Sequence, residues 1–459
     1  MAKKNDNNAE IFTIWSDEIE SRLDPYFYRE YFRELKKELH NCKFTLAKLG
    51  DICSAIRGVT YSNDDEVEEG LKILRANNIT LATNELNFDD VRNIKIDFPV
   101  SEDQQLKAGD ILMSAASGSK EHVGKVAYIS EDLDFYFGSF MMVLRANEKV
   151  NPQYLFEFLS SKIFRGLLFR ILGGTNINNL NFTMIKDFEV PLPSMAIQTK
   201  IAQTANRNRE KAIELENEAK KIVSSIDSFV LSELGIEIER ERVSEPAQIW
   251  QIWSDAIEKR LDPMFFHPLR LRAIEAIKKS HASVIPLSEV VKFRRELVND
   301  IPENAPYIGL ENIVSNSGEY METNAKESIS SAFVFKKGDV LFPKLRPYLN
   351  KVFYADFDGI CSTEFHVFEA KKCDPYFLFS FLTRSVVVEQ TSRLMTGNTL
   401  PRLQTEDIEN LLIPIPNQTT QEKIVAGVKT IYNRARNLRQ EAETVIAEAQ
   451  KQTAEMIFA

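Results

Sequence analysis

Four cysteines in 459 residues, none in a CxxC spacing, leave little for a disulfide framework or a thiolate metal site. Cys42, Cys53, Cys361 and Cys373 therefore read as scattered core thiols. The five histidines (His40, His122, His267, His281 and His366) show no metal-ligand spacing. No apolar run approaches the ~18–20 residues of a membrane span, and the N-terminus lacks a signal-peptide core, so a cytoplasmic protein without membrane contact is expected. A nucleotide loop is missing too: Gly118 to Lys125 has one residue too many between its glycines, and Val126 stands where Ser or Thr belongs. Asn151-Pro152-Gln153-Tyr154 comes near the Asn-Pro-Pro-aromatic turn of adenine methyltransferases, but no glycine-rich cofactor loop follows a strand. Its twin, Asp374-Pro375-Tyr376-Phe377, points to helix capping at both places. The chain does not read as catalytic. Excess positive charge is also lacking, since the net charge is −10, whereas a free-standing DNA binder is usually basic. Nucleic-acid binding would need small local patches, with partner subunits adding charge.

What the chain does have is a repeat. Ile14-Trp15-Ser16-Asp17 to Tyr28 returns as Ile252-Trp253-Ser254-Asp255 to Phe266, fifteen positions at an offset of 238. Each copy precedes a helical pattern, Tyr31 to Leu39 and Leu269 to Lys279. Trp15 and Trp253 are expected to anchor these arms on a neighbouring element. Further on, Pro193 opens a run with apolar residues at Ile201, Ala205, Ala212, Leu215, Ala219, Ile222, Ile226 and Phe229. Pro416 opens its counterpart, with Ile424, Val428, Ile431, Ala435, Leu438, Ala442, Val445 and Ala449. Steps of four and three are the seam of a coiled coil. The constant offset of 223 makes the two helices each other's natural partners.

Between arm and helix lies mixed texture, read twice. Short β-like runs (71–74, 110–113, 125–129, 140–144) alternate with Gly, Asn and Asp turns before a helix from Pro152 to about Phe169. In the second half Gly338-Asp339-Val340-Leu341 answers Gly109-Asp110-Ile111-Leu112, and Gly397 and Leu403 answer Gly174 and Leu180. The expected fold class is α+β: two mixed α/β domains separated by two long helices that pair as an antiparallel coiled coil, an internal pseudo-two-fold repeat. The boundaries expected are an arm at 1–40, a domain at 41–195 and a helix at 196–236. A linker with the second arm at 237–280, a domain at 281–417 and a helix at 418–459 complete the plan. About 33 helical residues would run roughly 50 Å.

The basic and polar residues that could meet a ligand lie in turn-rich loops. In the second domain these are Lys344, Arg346, Tyr348 and Lys351, with Arg294 and Arg295 nearby. At the equivalent place the first domain offers Lys120, His122 and Lys125. Such side chains position on phosphates or read base edges. Charged residues off the helix seam (Arg207, Arg209, Lys211, Arg434, Arg436, Arg439) are candidates for docking other subunits.

In this order, two divergent domains with Gly-Asp-Ile-Leu and Gly-Asp-Val-Leu turns, each closing on Pro-Leu-Pro or Pro-Ile-Pro with Gln198 or Gln421 before a long helix, the chain resembles the specificity subunits of Type I restriction–modification systems. The Lys344-Leu345-Arg346-Pro347-Tyr348 loop is similar to that family as well. The resemblance implies a non-catalytic subunit with two target recognition domains, each reading half of a split double-stranded DNA sequence. It also implies that paired helices dock two methyltransferase subunits, with restriction–translocase subunits beyond them. S-adenosylmethionine, ATP and Mg would then be bound by those partners. A competing reading is a non-catalytic two-domain coiled-coil scaffold for proteins or other ligands, which the acidic charge favours. A specificity subunit of some other modification assembly is a third.

Overall fold

The four-and-three apolar spacing becomes two long helices, Met195–Glu233 and Gln418–Phe458, in a computed structural model of the chain. The structure describes residues 12–458 except 17, 18, 21, 81, 82, 89, 118–121, 174–178, 239–249, 254–256, 258–261, 300, 302–304, 322–329 and 396–400. The chain divides into a first unit, Met1–Glu214 with Glu441–Ala459, and a second, Leu215–Gln440. The division falls within both long helices, so each unit holds one globular domain and a stretch of each helix.

In the first unit Ile201, near the start of the first helix, shares a core with Ile457 at the end of the second. Lys211 there reaches Glu441 at 3.9 Å. In the second unit Glu218 meets Arg434 at 2.8 Å and Glu233 meets Lys423 at 2.8 Å. Within each unit the partner's number falls as the helix advances, so the helices run antiparallel. The seam is narrow because Ala recurs every seventh residue: Ala205, Ala212, Ala219, Ala435 and Ala442 are all at most 4% exposed. Between them Leu215, Ile222, Ile431, Leu438 and Val445 are half-buried, while Ile226, Ile424 and Val428 are fully buried. At Gly427 the Phe229 ring occupies the place of a side chain, 2.4 Å from where a Cβ would sit.

Each domain is built on a four-stranded antiparallel sheet. In the first unit the strands are β1 (Cys53–Arg57), β2 (Asp110–Ser114), β3 (Val126–Tyr128) and β4 (Met141–Ala146), in the order β1-β4-β2-β3. In the second they are β5 (Val291–Arg294), β6 (Val340–Pro343), β7 (Phe353–Tyr354) and β8 (Phe365–Ala370), in the order β5-β8-β6-β7. Both faces of β2 are covered, which is why it reads as an unbroken apolar run. Ile111 and Met113 point into the core shared with the helices, and Leu112 into the core shared with a second sheet. In the second unit Val340 and Phe342 take the first face and Leu341 the other. The second sheets keep one parallel pair, Tyr136–Phe137 with Leu71–Leu74 in one unit and Gly359–Cys361 with Tyr307–Ile308 in the other. Their remaining strands differ.

The Gly-Asp motif has a specific job. Gly109 and Gly338 turn at φ of +89° and +92°, a region open to glycine. The next residue, Asp110 or Asp339, is buried and grips an arginine through two hydrogen bonds, Arg145 (2.7 and 2.8 Å) or Arg294 (2.8 and 3.4 Å). The helix expected from Pro152 to Phe169 breaks at Ser161, whose extended backbone and hydroxyl cap start a second helix, Lys162–Leu172. The arm anchors also differ from expectation. Trp15 and Trp253 are 70% and 83% exposed, whereas Phe27, Tyr28, Phe32 and Phe266 are buried. Arg170 lies 3.7 Å from the Phe27 ring centre. The arm positions 17, 18, 21, 254–256 and 258–261 lie outside the described residues.

A buried glutamine joins each long helix to its domain. Gln198 Oε1 accepts from the amide of Asn151, the cap of helix Pro152–Ser160, at 2.7 Å, and Nε2 donates to the Pro193 carbonyl at 2.9 Å. Gln421 does the same with the Asp374 amide (2.8 Å) and the Pro416 carbonyl (2.9 Å). Both are at most 4% exposed. Gln421→Leu leaves an amide and a carbonyl without partners and is expected to cost the second unit about 2–4 kcal/mol. Urea unfolding measures this, and a loss under 1 kcal/mol would show that the joint is held elsewhere.

Candidate nucleic-acid interface

The ends of β1 and β2 and the starts of β3 and β4 converge at one end of the first sheet, opposite the Asp110–Arg145 pair. Two loops close over that end with the same hydrogen bonds in both units. Ala115 donates to the Phe140 carbonyl (2.8 Å) and Leu180 donates to the Ala115 carbonyl (2.6 Å). In the second unit Lys344 donates to the Glu364 carbonyl (2.8 Å) and Leu403 to the Lys344 carbonyl (3.0 Å). Bridges between Ala116 and Asn179, and between Leu345 and Arg402, repeat the match. The frame therefore aligns position by position: Ala115 with Lys344, Phe140 with Glu364, Asn179 with Arg402, Arg57 with Arg295.

On that frame the candidate residues separate into two groups. Arg346 and Tyr348 are exposed in the second unit. Arg295 is also exposed, 3.7 Å from Glu409 and over the Phe293 ring. Arg294, by contrast, is committed to Asp339. The Lys351 ammonium donates to the Leu310 carbonyl (2.9 Å), and that of Lys344 to the Thr363 carbonyl (2.7 Å). In the first unit Lys125 is 6% exposed and donates to the Ile79 carbonyl (2.8 Å). Lys125 and Lys351 precede equivalent strands; Lys125 ties its sheet to the short ladder Ile79–Thr80 with Glu85–Leu86, and Lys351 ties its sheet to the turn Leu310–Asn312. Each ammonium thus spends a donor on holding the fold. His122 is half-buried, and its Nδ1 has no hydrogen-bond partner among the described residues. Lys120 lies outside the described residues, as do Gly174 and Gly397.

Strand register brings in residues that charge counting along the sequence missed. Arg57, exposed at the end of β1, matches Arg295. Arg402 is exposed and makes two bonds to Glu364, at 3.0 and 2.7 Å, which hold the Glu364 carboxyl below its ordinary range. Phe140 is 68% exposed and Asn179 is exposed. The outward set is thus cationic in the second unit, and polar or apolar with one arginine in the first.

The same sorting applies to the long helices. Arg209 folds back on its own domain, 2.9 Å from buried Glu157 and over the Phe156 ring. Lys211, Arg434 and Arg439 pair with Glu441, Glu218 and Glu319. Arg207 and Arg436 are exposed. Among the described residues no group of three or more His, Cys, Asp or Glu could hold a metal ion, and no helix is long and apolar enough to cross a membrane.

A sequence profile for the Type I restriction modification DNA specificity domain matches residues 41–223 and 286–446, most of the chain. The chain belongs to that family. It is 32% identical over 164 residues to the Type I restriction enzyme StySPI specificity subunit of Salmonella potsdam, covering 34% of each chain. It is 29% identical over 167 residues to the EcoKI specificity subunit of Escherichia coli K12, covering 35% of each. To the EcoDI specificity subunit of Escherichia coli it is 23% identical over 286 residues, covering 60% of this chain and 62% of that one. The matches thus span about a third of the first two relatives. The two profile segments enclose the two loop frames, so in this member of the family the specificity domain occurs twice.

Behind the loops of the second unit His366 is 8% exposed, stacked on Phe368, with Nε2 unpaired among the described residues. Burial, with Lys344 and Arg295 close by, lowers its pKa to about 3. Between that value and ~6.5 the unfolded chain takes up a proton that the folded chain excludes. The stability from neutral His366 is therefore full above pH 6.5 and is lost as pH falls toward 3. Between pH 7.5 and 4.5 the wild type should lose about 2–3 kcal/mol more than His366→Phe in urea unfolding. Equal losses would assign the acid sensitivity to other groups.

Proposed function

We propose that this chain is the DNA-recognition subunit of a Type I restriction–modification assembly, reading a bipartite target with one half-site per domain. The unread spacer follows from the length of the paired helices, and methyltransferase subunits dock on those helices. What carries this reading is the loop frame. The same backbone hydrogen bonds occur twice, around Ala115 and around Lys344, while the side chains they present differ. Two readers with one scaffold and different faces suit two different half-sites. Family membership supports the same reading. S-adenosylmethionine, ATP and Mg would belong to the partner subunits.

Arg346 adds a second line of support. It holds φ +48° and ψ 55°, a left-handed conformation that costs a non-glycine residue about 1–2 kcal/mol. Its backbone is held on both sides: the Arg346 amide donates to the Pro401 carbonyl at 2.9 Å, and the Leu349 amide donates to the Arg346 carbonyl at 2.9 Å. A strained, exposed arginine in a loop is better explained by a ligand than by packing. Phosphate or a guanine edge fits its planar fork.

Two measurements test the reading. Exchanging residues 284–416 for the equivalent domain of another family member should change one half-site and leave the other and the spacer intact, as read by the methylation pattern of the assembled complex. A change in both half-sites would overturn independent reading. Arg346→Gly should stabilise the second unit by up to about 1 kcal/mol yet weaken DNA binding. If Arg346 meets a phosphate, the slope of log K against log salt falls by about 1. If it reads a base, discrimination at that base relaxes instead. Unchanged DNA binding would remove Arg346 from the interface.

A further inference from the structure

We propose that Phe140 is a specificity-determining residue of the first domain, and that its ring reads a thymine through the 5-methyl group. This rests on the reading of the loop ends as the DNA-facing surface. A single exposed aromatic is ordinarily no signal, and three observations set this one apart. Phe140 is 68% exposed, yet its backbone is fixed: its carbonyl accepts from both Ala115 (2.8 Å) and Ala116 (3.1 Å), and Met141 donates to Gly138 at 2.8 Å in the same turn. The backbone that carries the ring is therefore already ordered, and only the side-chain torsions are left to fix on binding.

The second observation is that the fold does not require an aromatic here. The equivalent position in the second domain is Glu364, whose carbonyl accepts from Lys344 as that of Phe140 does from Ala115, and its carboxylate is held by Arg402. One frame position thus carries an apolar ring in one reader and a guanidinium–carboxylate pair in the other. Third, the neighbours on the frame are polar in the first domain. Asn179 takes the place of Arg402, and exposed Arg57 ends β1, whose cross-strand partner Met142 lies two residues from Phe140. A ring with an amide and a guanidinium at neighbouring positions of the frame has the makings of direct readout. Apolar contact recognises the thymine methyl, the one apolar group in the major-groove edges, while polar neighbours take base heteroatoms or phosphates.

The test uses the full chain with its methyltransferase subunits, on the target obtained by selection from a randomised library. Each thymine of the first half-site is replaced singly by uracil, which removes only the methyl group. In the wild-type complex one replacement is expected to weaken binding about 3–5-fold, the worth of a buried methyl. In Phe140→Ala the same replacement should have no effect, and Phe140→Leu should restore part of it. Because the side chain is exposed, both variants should melt with the wild type, which a thermal scan of each complex checks. A first half-site without thymine, no sensitive position, or the same loss in Phe140→Ala overturns the assignment. If the domain exchange still switches one half-site, the failure belongs to Phe140 alone. If the exchange switches nothing, the bipartite reading itself has failed.

Discussion

In the first turn of each long helix a glutamine amide, Gln198 or Gln421, is buried between two backbone groups of the adjoining domain: the amide of a helix cap and the carbonyl of a proline just after the last strand. Both partners are main-chain atoms, so the joint makes no demand on the surrounding side chains. The short ladders Leu46–Lys48 with Glu189–Pro191, and Ser283–Pro286 with Leu412–Ile415, close each domain just before the helix begins. Together they fix where the domain's first and last strands meet the helix. Everything beyond, including the identity of the outward loops, can change without disturbing that attachment.

The central sheets carry this separation further. At one end the buried Asp110 or Asp339 is gripped by an arginine and also accepts from the Lys107 or Lys336 amide, so the Gly-Asp turn is closed on itself. Removing one partner of such a buried pair leaves an uncompensated charge, which is strongly destabilising. The arginine need not come from one place. Arg145 reaches in from β4, whereas Arg294 reaches in from β5. At the other end the loops are held by main-chain bonds, and their side chains differ between the two domains. Under the proposed function, stability and recognition thus occupy opposite ends of the same strands.

Much of this was legible in the sequence because it rests on local chemistry. The heptad spacing, the Asn151 and Asp374 caps and the Gly-Asp turns all show their physical purpose within a few residues, whereas the arms showed as a repeat but not which of their residues would be buried. The site was less legible because a charge does not reveal where it is spent. Arg294 stood beside Arg295 as an equal candidate, and strand alternation sends one to Asp339 and the other to the surface. Lys125 and Lys351 looked like loop cations, yet each donates to a main-chain carbonyl of a neighbouring segment, Ile79 or Leu310. Their equivalence was hidden by the different lengths of the loops before them. Phe140 carried no signal at all, since nothing in the pattern distinguishes a core phenylalanine from one held outward on a fixed turn.

Spent charge also bears on the acidity of the chain. Arg145, Arg170, Arg209 and Arg294 pair with carboxylates within their own units, and Lys125, Lys344 and Lys351 donate to carbonyls. What remains on the loop frame among the described residues is a handful of cations, fewer than phosphate neutralisation along a bipartite site would use. Non-specific affinity and sequence reading are separable in a DNA interface, the first from backbone charge and the second from base edges. Under the proposed function this chain is built for the second. Its −10 charge is then no obstacle, because the subunits that enclose the DNA beside it can supply the charge. The same division explains why one frame position can hold a phenylalanine in one domain and a glutamate in the other.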